Sequence, residues 1–418
     1  MQKLLVYADF DWLDKVTPLG SLSYERLRGN DSYAFEYHNE WLRNHGSIQI
    51  SADINNYPGP QYSRPGKDIF GCFSDALPDR WGRTLLNKRE QLLALDEKRP
   101  FRMLTSYDYL VGIDDFSRMG GFRFKENETG DYINRAPLLQ FPPLTELREL
   151  LHVSQKIEKS DIENKLPDKS WIMQLVRPGS SLGGARPKAS VVDENGRLCI
   201  AKFPSVKDTY DVGLWEQLCN ILAKKSGIRT TDSKAVRVGE KYHTYVALRF
   251  DRAEAQKRIH FASAMTLLGF EDGDNATTGK GYLDIVDFIV QGCTAVRSNL
   301  EELYRRVAFN ICVGNSDDHF RNHGFLLTPK GWTLSPAYDM NPTLNEYQSL
   351  MVTSVTNQAN QNLLLDACEE YMLERKSAEG ILDEVGFALS DWEKTARKLN
   401  IPEQEIEMFR GRFQKKIS

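Results

Sequence analysis

The chain has 418 residues, which at ~100 to 200 residues per domain predicts two or three domains with a large buried core and excludes a disulfide-stapled miniprotein. Hydrophobic residues make up 41% and charged residues 27%, the proportions of a folded soluble chain rather than a disordered one. The 54 Lys+Arg against 58 Asp+Glu give a net charge of -4, so no overall basic excess points to direct binding of nucleic acid or an anionic membrane. The opening residues meet charge by Asp9 without building a signal-peptide apolar stretch, and nowhere do ~18 apolar residues run uninterrupted, so the expected location is the cytoplasm. Cys72, Cys199, Cys219, Cys293, Cys312 and Cys368 form no C-x-x-C pair and are expected to be buried thiols.

No repeat or low-complexity tract divides the chain, so its organisation is read from punctuation. LLVYADF (residues 4–10), YAFEYH (33–38) and SIQISADI (47–54) have the β-branched and aromatic content of strands, while residues 85–95 and 105–111 read as helical turns. A polar, proline-bearing break between residues 125 and 145 precedes the helical TELRELLHVSQKIEKSD. ASVV, the turn DENG and LCIAKF then read as a hairpin, and VGLWEQLCNILAKKSG as a helix closed by Gly227. VRVG and HTYVALRF follow as strands. From residue 283 to 313 the pattern is helical, with Leu300, Leu303, Val307, Ala308 and Ile311 on one face. The expected class is α+β: a small α/β N-terminal subdomain over residues 1–140, a β-rich lobe over 141–260 and a mainly helical lobe over 261–418. Two lobes of this kind commonly enclose a cleft.

The most informative stretch is GNSDDHFRNHGFLLTPKGWTLSPAYDMN, residues 314–341. Asp317 and Asn322 have the D-x-x-x-x-N spacing of a kinase catalytic loop, in which the Asp receives a hydroxyl proton and the Asn carbonyl ligates Mg²⁺. GFLLT, PKG and WTLSP form a second expected hairpin, which brings Asp339 back to the end where Asn322 lies. A carboxylate, an amide oxygen, phosphate and water are what magnesium takes. Clustered Asp and Asn in loops also serve as plain turn formers. The trio Asp317, Asn322 and Asp339 favours the chemical reading, and Asp318 alone fits either.

A glycine-rich segment, PGSSLGGARPKA, runs into the first hairpin and matches neither common phosphate-loop pattern, so it reads equally as a flexible turn or a phosphate cradle. On the second strand of that hairpin Lys202 shares a face with Leu198 and Ile200. A charge there either snorkels at the strand end or points at a nucleotide phosphate, and its need for a partner favours the second. Glu216, one turn into the next helix, is a candidate partner, though a solvated glutamate is nearly as good a reading.

Taken together, SSLGGARPKA, IAKFP, LRFDR, GNSDDHFRNHGF and LSPAYDMNP, in this order and spacing, resemble the HipA family of serine/threonine kinases, the toxin components of bacterial HipBA modules. LPDRWGR (77–83) and GIDDFSRMGGFRF (112–124) are similar to that family's N-terminal subdomain, so the resemblance covers most of the chain. It implies Asp317 as catalytic Asp, Asn322 and Asp339 as Mg²⁺ ligands, and Lys202 as the ATP-binding lysine. It further implies Gly183, Gly184, Ala185, Arg186, Pro187 and Lys188 as the phosphate-binding loop, and Leu248, Arg249 and Phe250 as the strip against adenine. His319 and Tyr338 join this nucleotide site, and Ser181 corresponds to a serine at which family members phosphorylate and inactivate themselves. The strip begins with Leu where the best-studied member has Glu, Arg186-Pro187 replace a polar pair, and Asp318 replaces a Gly. The implied partners are a small HipB-like helix-turn-helix antitoxin, which would supply DNA contact indirectly, and a protein substrate among translation components such as an aminoacyl-tRNA synthetase.

Two other classes compete. His319 and His323 are four apart and on a helix would share a face beside Asp317, a set that zinc accepts in a metal-dependent hydrolase. That reading lacks an H-E-x-x-H glutamate and leaves the glycines and Lys202 without a role. A kinase-like module that binds a partner without catalysis is the third, and retention of the base, both metal ligands and the lysine weighs against it.

Overall fold

The computed structural model describes residues 1–27, 29–64, 69–135, 141–176 and 184–413. The chain divides into two compact units, one of Met1–Asp208, Val238–Glu240 and Val246–Ala262, the other of Thr209–Arg237, Lys241–Tyr245 and Ser263–Ser418. Both mix helix and strand, in keeping with the α+β class expected from the sequence.

The first unit opens with β1 (Gln2–Ala8), β2 (Thr17–Leu27) and β3 (Asn30–Tyr37), an antiparallel meander followed by α1 (Asn39–His45). After β4 (Gln61–Tyr62) come α2 (Gly71–Ser74), α3 (Arg80–Asp96) and α4 (Ser106–Gly112), and β5 (Phe122–Lys125) completes a sheet of order β4-β3-β2-β1-β5. Phe10, Phe35, Phe70, Phe73 and Phe122 are buried as an aromatic core on this sheet. Strand β2 is not evident from the sequence because its alternation slips: Gly20 pairs with Val6 but Pro18 with Tyr7, so Leu19, Leu22 and Tyr24 are buried at uneven spacing. Gly20 is obligatory there, since a Cβ would lie 2.3 Å from Glu36 O.

The strand expected at SIQISADI does not form. Its polar side chains bond locally instead: Gln49 Nε2 donates to Ser51 O and Ile54 O, both at 2.5 Å, and Asp53 accepts from Gly71 N at 3.0 Å, so the segment is a loop that caps α2.

Beyond the break, α5 (Leu147–Ile162) and α6 (Lys169–Val176) pack together, and α6 lies on α3. The expected hairpin follows as β6 (Lys188–Val192) and β7 (Leu198–Lys202), with Lys188 opposite Lys202 and Val192 opposite Leu198. At Thr209 the chain enters the second unit, where α7 (Val212–Lys225) buries Leu214, Trp215, Leu218 and Leu222 and ends before Gly227, φ +79°. Strand β8 (Ser233–Val236) ends on the first residue of the expected VRVG, whose Val238 and Gly239 belong to a short stretch, 238–240, of the first unit. The end of β9 (Thr244–Leu248) returns the chain beside β7, Arg249 N donating to Leu198 O at 3.0 Å.

After β10 (Phe261–Ser263) the second unit continues with α8 (Ala264–Leu268), α9 (Tyr282–Gly292) and α10 (Val296–Val313). All five expected face residues of α10 are buried, and it stops at Gly314, φ +71°. The second expected hairpin forms as β11 (Gly324–Thr328) and β12 (Gly331–Leu334). Then come α11 (Gln361–Asp366), α12 (Arg375–Leu389), α13 (Trp392–Lys398) and α14 (Glu403–Arg410), with α12 packed on α10 and α7. Five of the six cysteines are buried and Cys293 is half-buried, all as free thiols. Among the described residues no helix is long and apolar enough to cross a membrane.

Candidate active site

In the second unit, the loop between α10 and β11 separates two adjacent aspartates. Asp318 is buried and accepts from Tyr282 Oη at 2.7 Å, Asn310 Nδ2 at 2.6 Å and His323 Nε2 at 2.9 Å. Burial opposes its charge, yet His323 and these hydrogen bonds hold its carboxyl below the usual range. Because Asp318 is anchored inward, Asp317 faces outward and is exposed. Asn322, in a single 3₁₀ turn (Phe320–Asn322), donates from Nδ2 to Asp317 O at 3.0 Å, which leaves its carbonyl Oδ1 as a lone-pair donor. His319 is half-buried, its amide donating to Asp317 O at 3.2 Å.

The hairpin β11-β12 returns the chain to this loop as expected. Ser335 N donates to Gly324 O at 2.8 Å at the hairpin root, and Tyr338 Oη donates to Arg321 O at 2.7 Å, next to Asn322. Asp339 follows with φ +58°, a left-handed conformation that Asp tolerates better than most residues. An amide oxygen on Asn322 and a carboxylate on Asp339 are hard oxygen donors of the kind Mg²⁺ takes.

His319 and His323 do not share a helix face, because the turn between them is one 3₁₀ turn with extended residues on both sides. His323 Nε2 is engaged by Asp318, and no group of three or more His, Cys, Asp or Glu among the described residues could hold a metal. The arrangement suits a loop anchor rather than a zinc site.

In the first unit, Ser181 and Gly183 lie outside the described residues. Gly184 has φ +86°, and Lys188, only 2% exposed, donates from Nζ to Asp79 Oδ2 at 2.7 Å and to Gly184 O at 3.2 Å. Arg186 is paired with Asp208 through both guanidinium ends, with Ala185 and Pro187 on either side; Pro187 O accepts from Phe203 N at 2.8 Å. Lys202 is buried at the end of β7.

The Arg249 side chain is bonded within the first unit. It is buried, donates to both oxygens of Asp251 (2.8 and 2.6 Å) and reaches Ser117 O at 2.7 Å, whereas Leu248 is half-buried. Phe250 packs near Phe261. Asp251 also accepts from Arg252 at 2.6 Å and from Gly120 N at 2.9 Å. Burial opposes its charge, but the two guanidiniums hold the carboxyl well below the carboxylate range. The strings LRFDR and GIDDFSRMGGFRF are thus each other's hydrogen-bond partners. The sequence marks both but not their pairing; the anchoring contacts of Asp79, Asp251 and Asp318 are seen only in the structure, although Asp79 ahead of a helix is a legible N-cap signal.

The family model for the HipA-like C-terminal domain matches residues 180–393, and that for the HipA N-terminal domain matches residues 12–107. The serine/threonine-protein kinase toxin HipA of Shewanella oneidensis is 24% identical over 264 residues, covering 56% of this chain and 59% of the relative. A Haemophilus influenzae protein described as a putative kinase is 25% identical over 180 residues, covering 38% and 52%. The aligned parts therefore span little more than half the length of these curated relatives. Among solved structures, Shewanella oneidensis HipA, in a complex with HipB and operator DNA, is similar in fold with a TM-score of 0.67 at 16% identity, covering 98% of this chain and 95% of that one.

Proposed function

The chain belongs to the HipA family, and on that premise we propose that it is an ATP- and Mg²⁺-dependent serine/threonine protein kinase. The observation that carries the reading is the split of the aspartate pair: Asp318 is locked inside while Asp317 is presented to solvent beside Asn322. The oxygen of a substrate hydroxyl forms a bond to the γ-phosphorus as the bond from that phosphorus to ADP breaks, and Asp317 receives the hydroxyl proton. Asn322 and Asp339 would hold Mg²⁺, which when bound offsets the phosphate charge. Lys202 and residues 184–187 are the proposed contacts to the nucleotide phosphates, the backbone of Leu248 to Phe250 the proposed contact to adenine, and His319 and Tyr338 further nucleotide-binding residues.

Ser181 is the proposed self-phosphorylation site, where ~1.5 to 2 added negative charges would repel ATP phosphates. By analogy with the Shewanella complex, the partner is a HipB-like antitoxin that brings DNA contact indirectly, and the substrate is a cytoplasmic protein of the translation machinery. The test is incubation of the purified chain with labelled ATP, alone and in lysate, with thermal melting in parallel. Magnesium-dependent stabilisation by ATP and label on Ser181 and on a lysate protein are expected. Zinc in the purified protein with no response to ATP would replace this reading with the hydrolase.

A further inference from the structure

The register of the first hairpin creates an electrostatic problem. Lys188 and Lys202 are direct partners across β6 and β7 and so project on the same face, where both are buried. Like charges directly opposite in an antiparallel pair repel, and a buried ammonium requires a counter-charge. For Lys188 that charge comes from 109 positions upstream: Asp79 Oδ2 at 2.7 Å, in a pair whose side chains are 2% and 3% exposed. Asp79 is itself fixed, because as N-cap of α3 its Oδ1 accepts from Gly82 N at 2.7 Å. The same helix start touches the same loop a second time, Trp81 N approaching Gly184 O at 3.4 Å, the oxygen that also accepts from Lys188.

We propose that Asp79 is a positioning residue for nucleotide binding: it locks the Lys188 ammonium so that Lys188 pins the Gly184 carbonyl and sets the root of the phosphate loop, rather than contacting phosphate itself. This rests on the kinase reading for its consequence but not for its geometry. The N-terminal subdomain thereby sets the shape of the loop through one carboxylate that divides its two oxygens between a helix cap and a lysine.

Asp79→Asn separates the two tasks, since Asn caps a helix as well as Asp does but offers Lys188 no charge. Hydrogen exchange is measured first, on the nucleotide-free protein. Peptides covering residues 184–190 should exchange about 10-fold faster in Asp79→Asn while α3 keeps its protection. Unchanged exchange at 184–190, or an equal rise along α3, would overturn the proposal. If loss of the counter-charge unfolds this variant, Lys188→Met, which leaves the cap intact, carries the same measurement.

Steady-state kinetics follow. Asp79→Asn and Lys188→Met should each raise KM for ATP about 10-fold with kcat within about threefold, and the double variant should be no worse than either single one. A raised KM in Lys188→Met beside a parental KM in Asp79→Asn would mean that Lys188 touches the nucleotide directly, and the proposal would fall. Parental KM in both would reduce the pair to a fold contact. If the parent neither binds nor consumes ATP, the kinase reading fails while the exchange experiment still decides whether Asp79 positions the loop.

Discussion

Asp317 and Asp318 are chemically identical neighbours with opposite surroundings, and the difference is made by three donors on Tyr282, Asn310 and His323. Asp317→Asn should lower phosphoryl transfer by roughly 10² to 10⁴-fold, the usual contribution of a positioned general base, with ATP affinity unchanged by calorimetry. Asp318→Ala leaves three donors in a dry site and should destabilise the protein by about 3 kcal/mol in urea titration, with a fall in kcat as the loop relaxes. The sequence presents Asp317 through its spacing to Asn322. It does not separate structural from chemical roles for Asp318, because Tyr282 and Asn310 reach it from α9 and α10, and no local pattern encodes that.

Elements whose stabilising contacts are local were legible, and those held by distant segments were not. The hairpins β6-β7 and β11-β12 and helix α10 follow from turn residues and apolar spacing. Residues 47–54 are as β-prone as a strand, but side-chain hydrogen bonds to nearby backbone close them into a loop. Helix α7 shows how a legible element can depend on an illegible partner. Trp215 packs on Phe409 with ring centroids 4.5 Å apart, and Glu405 of α14 accepts from Trp215 Nε1 at 2.8 Å and from Asp211 N at 3.3 Å. Burial pushes the Glu405 carboxyl up. Phe409→Ala should therefore cost about 3 to 5 kcal/mol in denaturant unfolding, from a position nearly 200 residues beyond the helix it supports.

At the scale of the whole molecule, the segment Val246–Ala262 returns to the first unit after the chain has entered the second. It carries Asp251 to Gly120 N and places His260 against Phe10 and Phe122, at centroid distances of 4.7 and 4.2 Å. Burial drops the His260 imidazole to about 3. The unfolded chain therefore takes up this proton near pH ~6.5 while the folded chain does not, so stability is complete above that pH and is lost as pH falls toward 3. By pH 5 the loss should reach about 2 kcal/mol, read from urea unfolding at pH 7.5, 6 and 5. His260→Phe should flatten that slope; an unchanged slope would assign it to other groups.

The same discontinuity has a consequence for biosynthesis. Asp251, which neutralises Arg249 and Arg252, lies more than forty residues past Asp208, where the main stretch of the first unit ends, and His260 lies further still. At roughly 5 to 20 residues per second, a ribosome leaves the nascent first unit without these ties for several seconds after Asp208 is made. During that interval the amide of Gly120 has no Asp251 to bond, and Phe10 and Phe122 have no imidazole between them. A chaperone that shields aromatic surface should therefore engage the nascent chain most strongly in this window, and release it once Ala262 has cleared the exit tunnel.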